Sequence, residues 1–309
     1  MSSAVALDLW RRRARSCRRR YKVFQTLWVA SWIATVLVFI AGIATGAAGV
    51  NTFVVSIGAN LAYARRSYRR QLLFLRSAGV TRLEAPHDGL VLPLLADIVR
   101  ELGMNELHLV LLLDRTRADC VPSVAQAAGR TFMLLPLGFF GVLGDQPAAA
   151  LAMLAHELGH VAQGDVRLGA WVAAYAALVS RFAVLIIVGS ALVLGFATGG
   201  ILVVMHLGRN EVMDRSDAIR LMVISTLAYL GLFFGAVLVA TALIRWLRRL
   251  SENTADLAAV AVVGPEAVQA ALALVTPHQP PGLFSVHPSQ SGRSKFIAAA
   301  LGSDPRSGP

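Results

Sequence analysis

Cysteine is almost missing from this chain: Cys17 and Cys120 are the only 2 in 309 residues. Thiols so few, without metal-ligand spacing, exclude a disulfide framework and a cysteine-based zinc site. Both read as reduced thiols in a cytosolic environment. Charge is scarce too. Asp, Glu, Lys and Arg make up 15% of the chain, whereas 56% of it is hydrophobic. That balance excludes an ordinary soluble domain of this length and points to the membrane class. Acidic residues are the scarcer sign, 18 against 29 Lys and Arg, for a net charge of +11. A basic surplus can serve nucleic acid, but its placement here argues otherwise.

The surplus sits at the edges of apolar runs. Residues 1–22 carry Arg11, Arg12, Arg13, Arg15, Arg18, Arg19, Arg20 and Lys22 against Asp8 alone. An RNA-binding arm is the functional alternative. The cluster abuts an uncharged run over 23–64, so it reads instead as a basic cytoplasmic tail and anchor. That run is several times too long for the apolar core of a signal peptide. As one straight helix it would extend about 63 Å, twice the hydrocarbon thickness. Gly46, Gly49 and Asn51 interrupt it, which predicts a helical hairpin of two short spans. Its exit, Arg65-Arg66-Ser67-Tyr68-Arg69-Arg70, is as basic as its entrance. Within 168–244, residues 182–205 and 221–244 are two further uncharged runs of spanning length, joined by a charge-balanced loop over 207–220. Arg181 stands at a boundary and reads as snorkelling to headgroups rather than as an intramembrane functional group. Arg245, Arg248 and Arg249 follow the last run. The positive-inside rule then puts both termini in the cytoplasm. Residues 65–167 and 245–302 remain as the two halves of a polar domain, and 303–309 read as a disordered tail.

The chemistry lies in His156-Glu157-Leu158-Gly159-His160. The run from Pro147 to Leu154 is rich in helix formers, so the motif is predicted to lie on a helix. Two histidines four apart emerge on one helical face and can grip one ion, and Glu157 beside them can take a proton from an attacking water. A catalytic zinc takes three protein ligands and keeps one position open. No third histidine follows soon after His160, so that ligand comes from afar. Ser251-Glu252-Asn253-Thr254-Ala255-Asp256 offers Glu252 as ligand, with Asp256 one turn on to hold a ligand imidazole by its other nitrogen. His287 is the competing third ligand. Pro288 after it disfavours helix, and a loop histidine suits a donor to the oxyanion. His87, His108, His206 and His278 have no partner at ligand spacing. Upstream, Leu90–Leu102 reads as a helix with Pro93 in its first turn, and 107–114 as a buried strand. Thr131–Pro136 reads as a second strand, placed at the sheet edge because Pro136 cannot donate to a central ladder. An edge next to the motif helix can add an extended peptide as a strand, which would make Thr131 and Met133 substrate-binding residues. A plain structural edge is the alternative.

These residues resemble the HtpX-like membrane zinc metalloproteases, relatives of the CAAX prenyl protease. The likeness rests on His156-Glu157-Leu158-Gly159-His160, Gly164-Asp165, Glu252-Asn253-Thr254-Ala255-Asp256, and His287-Pro288-Ser289 with Arg293, and it covers roughly residues 84–300. It implies a mainly α membrane protein, with four transmembrane helices and an α+β gluzincin-type protease domain built on a small sheet. It implies one zinc ion on His156, His160 and Glu252, with Glu157 and His287 catalytic and Asp165 and Asp256 behind the ligands. It also implies Arg293 as a structural or substrate contact. The expected partners are protein or peptide substrates, membrane or misfolded, and the lipid bilayer, with no nucleic acid. Their cleavage at the cytoplasmic face of the cell membrane would serve quality control. Two departures stand out: Pro122-Ser123-Val124-Ala125 where the family has Asn-Ala-Phe-Ala, and Asn253 in place of the usual aromatic.

Two readings compete. An inactive metal-binding scaffold has no need of Glu157, and a transporter with an accidental motif would carry ionisable residues within its spans.

Overall fold

The computed structural model describes residues 3–44, 79–104, 109–127, 130–166, 200, 204, 215–275 and 290–300. The chain divides into two compact units. One comprises Met1–Lys22, Tyr68–Trp171 and Arg245–Pro309; the other comprises Val23–Ser67 and Val172–Ile244. Every described residue of the second unit is helical. Among the described residues no helix is long and apolar enough to cross a membrane. The predicted break at Gly46 to Asn51, Arg181, most of the 182–205 run, His287 and the 303–309 tail lie outside the described residues.

Among the described residues, the first unit is built around a four-stranded mixed sheet, order β1-β2-β4-β3. Its strands are β1 (Val80–Arg82), β2 (Leu109–Asp114), β3 (Ser123–Ala127) and β4 (Arg130–Pro136). β2 and β4 run parallel, Leu109 opposite Thr131 and Asp114 opposite Pro136. β1 and β3 pair antiparallel on either side. Continuous apolar runs such as Leu109-Val110-Leu111-Leu112-Leu113 suit strands covered on both faces, and residues 111–114 and 133–136 are buried. The sheet order corrects one expectation: β4 is interior, and among the described residues β1 and β3 are the edges. Pro136 is the last residue of β4, where a missing N–H removes no bond from the middle of the ladder.

Around the sheet pack α2 (His87–Glu101), α3 (Leu137–Asp145), α4 (Pro147–Gln163), α6 (Pro265–Leu274) and α7 (Gln290–Ala300), together with the ends of two long helices, α1 (Ser3–Ala44) and α5 (Arg215–Val263). α2 begins three residues earlier than expected, so Pro93 lies inside it rather than in its first turn. Its buried stripe Val91, Leu95 and Ile98 meets a core that includes Met133, Leu135, Phe139, Leu154, Leu158, Leu257 and Ile297. The 207–220 loop is shorter than predicted, because 215–220 already form the start of α5 with Asp217 in its first turn. The basic stretch 3–22 is helical, and Ala6, Trp10 and Ala14 belong to the same core.

Candidate metal centre

α4 carries the two histidines as their spacing requires. The helix starts with Pro147 at its first turn and ends at Gly164, whose φ of 72° is left-handed backbone that glycine adopts without strain. The reversal there folds Asp165 back onto the last turn, its N–H on the His160 carbonyl at 3.4 Å. Gly159 is needed for a different reason. A Cβ on it would lie 2.9 Å from Ala258 Cβ and 3.1 Å from Ala255 Cα. Only a residue without a side chain lets α5 come this close, and that approach sets Glu252 opposite the imidazoles.

The three ligand candidates converge. His156 Nε2 lies 3.2 Å from His160 Nε2 and 3.4 Å from Glu252 Oε2, and His160 Nε2 lies 3.9 Å from Glu252 Oε1. Bonds of about 2.0–2.2 Å in a tetrahedral zinc site set ligand atoms about 3.3–3.6 Å apart. The residues present therefore fit such an ion, and among the described residues theirs is the one cluster of this kind.

Behind each imidazole stands a carboxylate. His156 Nδ1 is 2.9 Å from Asp256 Oδ1 and His160 Nδ1 is 3.1 Å from Asp165 Oδ2. A carboxylate can only accept, so each Nδ1 carries the proton and each Nε2 presents a lone pair. Two lone pairs and a carboxylate oxygen facing one another at these distances repel unless a proton or a cation lies among them. In the metal-free chain the proton takes that place. Burial works to lower the His156 pKa, but its bonds to Asp256 and Glu252 outweigh burial and raise it to about 10. His160 is raised as well, against its burial, by the charge and hydrogen bond of Asp165.

Glu157 turns to the other side, toward β3. Burial pushes its carboxyl above the usual range, and the two histidines and a bond from the Val124 backbone N–H oppose that rise. Val124 therefore points its N–H away from β4 and into the site. Along an antiparallel edge strand the outward backbone groups recur every second residue. Arg117 holds the entry to this strand, donating to Ser123 Oγ and to the Val121 carbonyl at 2.9 Å each. Thr131 and Met133, expected on a free edge, are instead buried on interior β4. The strand departing from the family pattern at Ser123 and Val124 is the one that borders the site.

Arg293, expected as a structural or substrate contact, stands behind the candidate ligands. Its guanidinium clamps both oxygens of Asp256, with Nε–Oδ2 at 2.8 Å, and its Nη1 lies 3.9 Å from Glu252. Nη2 is 3.3 Å from His156 Nδ1, but two N–H donors cannot pair, so Asp256 is the acceptor they share. Against its burial, the arginine and His156 hold the Asp256 carboxyl below its ordinary range. Sequence reading missed Ser251 entirely. Its hydroxyl donates to Asp165 Oδ2 and lies 3.2 Å from His160 Nδ1. Serine beside a ligand glutamate carries no sequence signal of such a role.

The model of peptidase family M48 matches residues 133–300, which include His156, Glu157, His160, Asp165, Ser251, Glu252, Asp256 and Arg293 but not the β3 strand. No curated protein matches the chain.

Proposed function

The chain belongs to peptidase family M48, and from that premise we propose that it is a zinc-dependent endopeptidase integrated in the membrane. The observation that carries the metal is the mutual approach of the two Nε2 atoms and a Glu252 oxygen, each imidazole held from behind by a carboxylate. A zinc ion bound there supplies Lewis-acid polarisation of the scissile carbonyl and acidifies water. Glu157 accepts the proton of the attacking water and passes it to the leaving amine. Its raised pKa, from burial, brings it nearer the pH at which both steps run. The edge of β3 lines up the substrate as an added strand, its backbone donors and acceptors facing the Glu157 side. His287 is proposed as the donor to the oxyanion.

The apolar runs at 23–64, 182–205 and 221–244, with arginines at their flanks, support the membrane reading and a cytoplasmic protease domain. Substrates are then membrane or misfolded proteins presented at that face, removed as quality control. The test is direct. Wild type and Glu157→Gln are purified, zinc is measured, and cleavage of casein and of a co-reconstituted membrane protein is followed. Glu157→Gln should keep zinc and lose at least about 10²- to 10⁴-fold in turnover. Full activity in that variant rules out the mechanism.

A further inference from the structure

The chain passes from β2 to the edge strand β3 through residues 115–122, and one arginine gathers that loop. Arg117 Nη1 donates to Ser123 Oγ and Nη2 to the Val121 carbonyl, each at 2.9 Å. Its Nε also meets Asp119 Oδ2 at 3.2 Å, and Nη2 lies 2.9 Å from both oxygens of that carboxylate. The Val121 N–H in turn donates to Asp119 Oδ1 at 3.3 Å. The Arg117–Asp119 pair is partly exposed and by itself would hold little. Its effect comes from shape. The guanidinium fork is planar, so Asp119 orients it, and it then fixes Val121 and Ser123 relative to each other.

The backbone adds to this bracket. Pro122 fixes its own φ and keeps Val121 before it out of the helical region. On its other side the loop rests against α3. A Cβ on Gly138, in the first turn of α3, would lie 2.7 Å from the Asp119 carbonyl oxygen and 3.4 Å from Cys120 Cα. Because α3 directly follows β4, the loop is braced on the interior strand of the sheet. Both backbone groups of Val121 are engaged within the loop, so a peptide added to β3 pairs from beyond it. The strand that remains, Ser123–Ala127, packs beside the α4 helix that bears the two histidines.

We propose that Arg117 is a positioning residue for substrate: by bracketing Asp119, Val121 and Ser123 it holds the start of β3 extended before a peptide arrives and sets where strand addition begins. An edge ordered in advance spares the complex the cost of ordering it on binding. All four residues lie outside the span that matches the family. The proposal rests on the peptidase reading, with substrate on the β3 edge.

Steady-state cleavage of casein by the full-length, zinc-loaded chain tests it, with zinc content and urea midpoint measured on each variant. Arg117→Gln should raise KM about 10-fold, the scale of one hydrogen bond from a charged donor. Its kcat and zinc content should stay at wild-type values, because the lost interaction serves ground state and transition state alike. Ser123→Ala removes one of the three acceptors and should raise KM about 2- to 10-fold. In the Arg117→Gln background Ser123→Ala should cost nothing further, because the bracket is already open. Wild-type KM in either single variant overturns the proposal. So does a loss of kcat or zinc in folded Arg117→Gln, which is what a purely structural role would give, or an equal effect of Ser123→Ala in both backgrounds. If Arg117→Gln does not fold, the KM of Ser123→Ala decides alone. A wild-type chain that cleaves no casein fails differently: it overturns the peptidase reading itself, and the role of Arg117 with it.

Discussion

At the scale of single residues, the centre is an arrangement of protons as much as of ligands. His156 and His160 each spend Nδ1–H on a carboxylate, which leaves two Nε2 atoms 3.2 Å apart with nothing of their own to separate them. In the metal-free chain a proton must sit there, and the hydrogen bonds of Asp256 and Glu252 hold it on His156 up to about pH 10 despite burial. Zinc needs the neutral imidazole, so below that pH it must displace the proton. Zinc binding at pH 7 is therefore expected to release at least one proton. Affinity should rise with pH, about tenfold per unit for one displaced proton, and level off once the pH passes 10. Titration calorimetry in buffers of different ionisation enthalpy counts the protons directly. A heat of binding independent of the buffer contradicts this arrangement.

At the scale of elements, one close helix approach and one strand edge set the geometry. Gly159→Ala puts a methyl group 2.9 Å from Ala258 Cβ and 3.1 Å from a backbone carbon of α5. Alanine is the better helix former by about 1 kcal/mol, but overpacking typically costs about 1–3 kcal/mol, so the variant should be the less stable protein. It should also bind zinc more weakly, since α5 carries Glu252 and would have to retreat. Urea melts together with zinc titrations check both effects, and Ala258→Gly should restore part of each. The β3 edge makes a different prediction. Peptides N-methylated at successive backbone positions should be cleaved poorly and well in alternation, because a paired strand points its amides inward and outward by turns. A uniform effect of methylation would exclude strand addition.

At the scale of the whole molecule, the arginine-flanked apolar runs make a topology prediction. A reporter that works only in the cytoplasm should be active when fused after Pro309. One that works only outside should be active between Arg209 and Arg220. The reverse pattern would refute the orientation. The helix α5 runs unbroken from Arg215 to Val263, so the 221–244 run and the ligand Glu252 share one element. Arg245, Arg248 and Arg249 follow the apolar run without ending the helix. Charged residues do not stop a helix, and no proline or glycine lies between Ala236 and Val263 to do so.

Some of this was settled by the sequence alone. Four-residue spacing put His156 and His160 on one face, and helix periodicity put Glu252 and Asp256 one turn apart, since both follow from 3.6 residues per turn. Apolar runs marked β2 and β4 as strands. Their order did not follow. Edge and interior strands differ in what pairs beside them, and Pro136, as the last residue of its strand, removes no bond from the middle of the ladder and so does not mark an edge. The buried stripe of Ala6, Trp10, Ala14, Cys17 and Tyr21 has a legible period, yet the surrounding arginines hide it in any average over the segment. Which surface that stripe meets, and that Arg293 grips Asp256 while Ser251 grips Asp165, are matters of packing between segments distant in the chain. Local spacing fixes which face of a helix a residue occupies; only the folded whole decides what that face touches.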